Sequence, residues 1–345
     1  MNKAQVSLQF KTFAVDCKGT SKIYEFLSNC ISKDDQILEL GMKTRSGQPV
    51  TNLLFASVHY LLLKGKDHSL KEFYPSVSKH PRNIDEPDFF SNFKDFCAKY
   101  KDDIVYLLRH KLVQTNEVRR CAYLYPVFCW IYHKIEKPLS LIEIGTSSGL
   151  QLLWDQFSYS YGDEEIYGNK QSNIHLTSEI RGESQVYFLP NSPPVASKVG
   201  IDLHISNLED AEDYLWLKAL IWPEHRERLE LLEQAAECLK ENPVKLIEGD
   251  GVTLLPEMVE TTPKDSVICV FHTHVANQMP KESKTRLEEN VKAIGRFRDV
   301  FHLYNNMWDG ELHLDYIIRG VEHKKTIGKT DGHGRWFEWN IEEVD

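Results

Sequence analysis

Leu141-Ile142-Glu143-Ile144-Gly145-Thr146-Ser147-Ser148-Gly149-Leu150 holds the grammar of a strand, a tight turn and a helix start in one short stretch. An apolar run reaches an acid at Glu143, breaks at Gly145, and gives way after Gly149 to apolar residues that suit a helix. Glycine at 145 lets the chain reverse sharply and lets the backbone approach a ligand. The unpaired N–H groups at the following helix start favour negative or polar groups. Three other loops share parts of the pattern. The dinucleotide fingerprint G-x-G-x-x-G would need glycine at 147 and 150, where this chain has Ser147 and Leu150. A phosphate loop would need Gly-Lys-Ser/Thr, which the stretch lacks. A nucleophile elbow, G-x-S-x-G, is matched literally with Ser147 as nucleophile, and it needs an Asp and a His after later strands. The acid two residues ahead of the first glycine favours a turn that holds a cofactor.

Outward from this turn, short apolar runs alternate with helical patterns. Strands are predicted at 139–144, 244–247, 266–271, 300–304 and 314–319, and helices at 150–157, 212–240 and 282–297. Such alternation argues for βαβ units and a mostly parallel sheet covered by helices. Residues 158–200, rich in Tyr, Ser, Asn, Gly and Pro, interrupt the alternation and are expected to form an inserted cap. Upstream, 1–137 is expected to be a helical domain, with helices at 21–30, 52–64, 89–108 and 121–133. The 52–64 helix is apolar almost all round and therefore buried. Residues 138–345 then form the α/β domain.

Bulk properties bound the function. The chain has 345 residues, 41% of them hydrophobic and 27% charged, with net charge -10, as in an ordinary soluble protein. An acidic chain without a Lys/Arg block disfavours nucleic acid as main partner. Seven cysteines, an odd number with no CxxC pair, suit free thiols in a reducing compartment. The opening MNKAQVSLQFKTF lacks the apolar core of a signal peptide, and no run reaches the ~18 residues of a membrane span. A cytoplasmic protein without membrane or nucleic-acid partners is expected. The oligomeric state stays open.

The Glu143–Gly149 stretch resembles the first cofactor-binding motif of S-adenosylmethionine-dependent methyltransferases, an acid followed by Gly-x-Gly-x-Gly, with Ser147 in place of the middle glycine. The resemblance implies a Rossmann-like, methyltransferase-type α/β sheet. It also implies that Glu143, Gly145, Thr146, Ser147 and Gly149 hold the methionyl end of S-adenosylmethionine. Gly200-Ile201-Asp202 resembles the strand end whose acid holds the ribose hydroxyls, with Glu179 as the substitute acid. Asp250, in Glu248-Gly249-Asp250-Gly251, resembles the acid that meets the adenine amino group, and is equally a helix cap.

Beyond the cofactor motif, 267–271 runs into His272-Thr273-His274-Val275-Ala276-Asn277-Gln278, an abrupt change from apolar to polar. The carboxyl ends of strands line the crevice of an open α/β sheet, which makes His272, His274 and Asn277 catalytic candidates. A histidine there serves as base or orienting group for an acceptor, or as a hydrogen-bonded structural residue. The i, i+2 spacing puts both histidines on one face if the strand continues. No metal is expected, since no third ligand follows. Gln114, Asn116, Glu117 and Arg120 are more polar groups than a helix cap needs; with Gln278, Arg181 and His333 they are expected to form the substrate pocket or its lid.

The whole chain is similar to a bacterial family known chiefly as an uncharacterised conserved domain. The likeness rests on Val58-His59-Tyr60-Leu61-Leu62-Leu63, 114–120, 143–150, 159–162, 216–228, Gly249-Asp250 and His333-Gly334-x-Trp336. It implies the helical part and the methyltransferase-like part without a substrate. The expected function is methyl transfer from S-adenosylmethionine to a small-molecule O or N acceptor. Alternatives are a non-catalytic nucleoside-binding or regulatory protein on the same fold, and a serine hydrolase using Ser147.

Overall fold

Leu139–Ile144 (β1) is a six-residue apolar strand buried along its whole length, as a strand covered on both faces must be. The computed structural model, which describes residues 1–182 and 184–341, makes it an interior strand of a seven-stranded sheet. The chain divides into two compact units: Met1–Thr115 with Asn207–Glu230, and Asn116–Ser206 with Leu231–Asp345.

The first unit is helical: α1 (Lys3–Asp16), α2 (Lys22–Ile31), α3 (Asp35–Gly41), α4 (Val50–Leu63), α5 (Phe89–Lys99) and α6 (Lys101–His110). α4 is buried on nearly every side. The later segment 207–230 joins this unit through side chains that a linear reading cannot pair. His59 on α4 bonds the Ala219 carbonyl at 3.0 Å, Tyr60 bonds Glu212, and Glu224 accepts the Ile23 N–H at 2.9 Å at the start of α2.

The second unit begins earlier than the expected boundary at 137. α7 (Cys121–Ile135) packs on the sheet, with Phe128 against Phe271 at 5.6 Å. β1 is followed by β2 (Ser158–Ser160), β3 (Tyr167–Gly168), β4 (His175–Thr177), β5 (Glu179–Arg181) and β6 (Val195–Asp202). After α8 (Ala211–Leu220), which belongs to the helical unit, come α9 (Arg226–Glu241), β7 (Lys245–Glu248), α10 (Gly251–Glu260), β8 (Val267–His272) and α11 (Lys281–Gly295). The chain closes with β9 (Val300–Asn305), β10 (Glu311–Ile318), β11 (Val321–Lys329) and β12 (Trp336–Glu338). The expected cap at 158–200 is shorter, because its end is strand β6, paired parallel to β1. What remains forms the three-stranded β3-β2-β4 sheet and the β5–β12 pair. The helix expected over 212–240 is two helices, α8 and α9, parted around Pro223.

The large sheet is ordered β11-β10-β9-β8-β1-β6-β7. Five strands are parallel, and β10 runs antiparallel to both its neighbours. From β1 the chain winds outward to β6 and β7, then crosses back to β8 on the other side. The order therefore reverses between β1 and β8. The carboxyl ends of the strands at such a reversal are where open α/β sheets hold ligands. One face of the sheet buries Ile142, Ile144, Ile268 and Val270 against Leu255 of α10 and Leu287 of α11.

Two helices contain an internal proline, and each loses one backbone hydrogen bond to the carbonyl four residues earlier. Tertiary donors fill both gaps. Pro126 leaves the Ala122 carbonyl to the Tyr161 hydroxyl, at 2.8 Å. Pro256 leaves the Val252 carbonyl to Asn290 Nδ2, at 2.7 Å.

Candidate functional site

At the carboxyl edge the turn after β1 is built from left-handed residues: Gly145 at φ 75°, Ser147 at φ 53° and Gly149 at φ 79°. Ser147 thus adopts the backbone of a glycine. It is held there by its N–H, which donates to Asp202 Oδ2 at 2.7 Å, and by its hydroxyl on Ser206 Oγ at 3.3 Å. A Cβ on Gly145 would lie 2.4 Å from Val275, and one on Gly149 2.8 Å from Leu246. Both glycines are therefore required by the packing of the turn itself.

Polar side chains converge around this turn. Thr146 Oγ1 donates to Glu143 at 2.5 Å. Burial pushes the Glu143 carboxyl up to about 8, against the pull of that hydroxyl. Asn116 Nδ2 donates to the Thr146 carbonyl at 3.2 Å and to Ser148 Oγ at 2.7 Å. Arg120, 6% exposed, donates through Nε to the Gly332 carbonyl at 2.9 Å and through Nη1 to Thr273 Oγ1 at 3.3 Å. Thr273 Oγ1 in turn donates to Gln151 Oε1 at 3.0 Å. The two described bonds of Arg120 leave guanidinium donors over on a buried cation.

His274 completes the cluster. It has φ 59°, its N–H donates to Asn305 Oδ1 at 2.8 Å, and its Nδ1 lies 3.1 Å from Asn306 Nδ2. An amide NH2 only donates, so Nδ1 accepts and the ring proton sits on Nε2. Nε2 is buried without a hydrogen-bond partner. Burial, helped by the Arg120 charge, lowers the ring to about 3. His274 is thus a neutral donor and a poor base.

Several expected site residues lie elsewhere. β8 ends at His272, and the left-handed turn at 274 breaks the two-residue alternation, so the two histidines do not share a face. His272 is fully buried and bonds His302, Nε2 to Nε2, at 3.1 Å; burial lowers it to about 3. Asn277 and Gln278 are exposed on a 3-10 turn. Arg181 is exposed, pairs with Glu179 at 2.9 Å and lies over Trp336 at 4.2 Å. Asp250 caps α10, accepting from the Val252 N–H at 3.0 Å and the Thr253 hydroxyl at 2.7 Å. His333 lies in the 331–334 turn, its N–H on Asp331 at 3.1 Å. Glu117 is buried, and its carbonyl accepts from the Arg120 N–H at 3.3 Å. Gln114 belongs to the helical unit. The hydroxyl of Ser147 is buried and bonded to a serine, whereas an elbow needs an exposed hydroxyl on a histidine.

Thr273, Gln151, Asn305, Asn306 and Leu203 join the site without having been expected there from the sequence. The first four are polar side chains that close the network. Leu203, 74% exposed, follows Asp202 at the crevice edge. The Asn305-Asn306 pair ends an apolar strand, the same signal that drew attention to 272–278.

The family described as "Uncharacterized protein conserved in bacteria (DUF2332)" matches residues 7–339. The chain belongs to this family. No curated protein and no solved structure matches the DUF2332 chain. Among the described residues no helix is long and apolar enough to cross a membrane.

Proposed function

We propose that the sheet unit is a Rossmann-like methyltransferase that binds S-adenosylmethionine at its carboxyl edge and methylates an O or N atom of a small molecule. The observation that carries this reading is the bond from the Ser147 N–H to Asp202 Oδ2. It ties a left-handed turn after β1 to the acid ending β6, beside the point where the strand order reverses. The donor set fits the cofactor's chemistry. Asp202 is a partly exposed carboxylate, suited to ribose hydroxyls, and exposed Leu203 offers an apolar face for a purine. Arg120 suits the methionyl carboxylate, because a buried cation is costly until an anion meets it. The backbone at 145–149 would hold the rest of the methionyl end.

Bound S-adenosylmethionine supplies a methyl group on a sulfonium, displaced in line by a nucleophile, so the protein's main task is positioning. Nε2–H of His274 would orient the acceptor by donating to it. Thr273, held between Arg120 and Gln151, fixes the loop that presents His274.

Calorimetric titration with S-adenosylmethionine and S-adenosylhomocysteine, on wild type and Asp202→Asn, tests the reading. Dissociation constants on the order of micromolar are expected for wild type, weakened roughly tenfold or more in the variant. No binding to folded wild type, or equal binding to both proteins, would overturn it.

A further inference from the structure

The opposite edge of the same sheet carries a second cleft, of about 290 Å³. Strand β8 links the two edges: Val267 lines this cleft and His272 ends at the crevice. Six residues of strand put the two sites roughly 15–20 Å apart. Among the described residues five cations line the cleft, Lys137, Lys264, Arg296, Arg298 and Arg319, and one acid, Asp299. In a chain of net charge -10 this is a local inversion of sign. The five come from four separate stretches of sequence, so no basic block announces them.

Arg298 builds the wall. Its guanidinium donates to the Thr262 hydroxyl at 2.6 Å, the Pro263 carbonyl at 2.6 Å and the Ser266 carbonyl at 2.9 Å. Asp299 is committed to the wall as well, accepting the Arg319 N–H at 2.8 Å. The side chains of Lys137, Lys264, Arg296 and Arg319 are exposed and make no ion pair or hydrogen bond among the described residues. α7, α10 and α11 end beside this edge, before β1, β8 and β9. Each helix end contributes roughly half a negative charge, and three such ends offset fewer than two of the five cations. With Asp299 counted as well, a net positive charge remains in the cleft, which favours an anion. Phe297, 88% exposed, stands on the same rim, an apolar surface that water solvates poorly and a planar base would cover.

We propose that this cleft binds a small nucleotide, with its phosphates among Lys137, Lys264, Arg296 and Arg319 and its base against Phe297. A second anion-recognition site then lies at the edge of the sheet remote from the carboxyl-end crevice. No charge partner in the fold is lost when these side chains change.

The test is calorimetric titration at low salt with pyrophosphate, ATP and a single-stranded twelve-nucleotide DNA. Four proteins are compared: wild type, Lys264→Glu with Arg296→Glu, Phe297→Ala, and Asp202→Asn. Expected are binding of pyrophosphate and ATP to wild type, and a loss of roughly tenfold or more in the charge-reversed protein. Phe297→Ala should weaken ATP and leave pyrophosphate unchanged, and Asp202→Asn should leave both unchanged. Three results would overturn the proposal: no binding of either anion to folded wild type, equal binding to the charge-reversed protein, or tighter binding of the DNA strand than of ATP. Phe297→Ala, a surface truncation, keeps the base contact testable if the charge reversal fails to fold.

Discussion

At the scale of single residues, Glu143 and His274 show how burial sets chemistry. Glu143 is a strand-end acid with one hydroxyl donor, and burial holds its carboxyl at about 8 against an ordinary 4.5. Between those values the folded protein keeps a proton that the unfolded chain has lost, so stability falls as pH rises through the window. Glu143→Gln keeps an acceptor for Thr146 and removes the titration. The variant should gain stability over wild type as pH goes from about 5 to about 9, by on the order of a few kcal/mol. Urea unfolding measures this directly, and a difference that stays flat with pH would rule out a raised carboxyl. The histidine works in the opposite sense: neutral at physiological pH with its proton on Nε2, it offers a hydrogen bond and takes no proton.

At the scale of elements, the prolines inside α7 and α10 show tertiary bonds standing in for local ones. The helix at 121–133 was expected from its apolar run, and no helix was expected at 251–260; each contains a proline, Pro126 and Pro256. Both form because distant side chains replace the missing backbone donor. Removing either donor leaves a carbonyl inside the fold unsatisfied. Tyr161→Phe and Asn290→Ala are each expected to cost about 1–3 kcal/mol. Hydrogen exchange should rise around 122–126 in the first variant and around 252–256 in the second. A loss spread evenly over the chain would show that the prolines are tolerated for another reason.

At the scale of the whole molecule, buried histidines shape the response to acid. Burial lowers His272 and His274 to about 3 and His302 well below its ordinary 6.5. These folded values lie below the unfolded one, so their contribution is complete above pH 6.5 and is lost as pH falls from there towards 3. Thermal midpoints should drop through that range. His302→Phe should flatten the acid limb by about 1.4 kcal/mol per pH unit, one proton's worth; an unchanged slope would mean that His302 is already charged in the fold. The alternation of apolar runs from residue 139 was enough, by itself, to determine a mostly parallel sheet flanked by helices, because strand burial and helix spacing are local properties of the chain. The turn at 143–149 and the acid at 202 were legible for the same reason: strand ends at Glu143, Gly145 and Asp202 announce themselves in the residues that stop the apolar run. Tertiary structure alone decided that Arg120 meets Thr273, that His272 faces His302 while His274 turns away, and that 207–230 leaves the sheet unit for the helices. It alone gathered five cations from four stretches into one cleft. Those outcomes depend on pairings between residues tens to hundreds of positions apart, and neither period nor propensity encodes which distant partner a side chain will find.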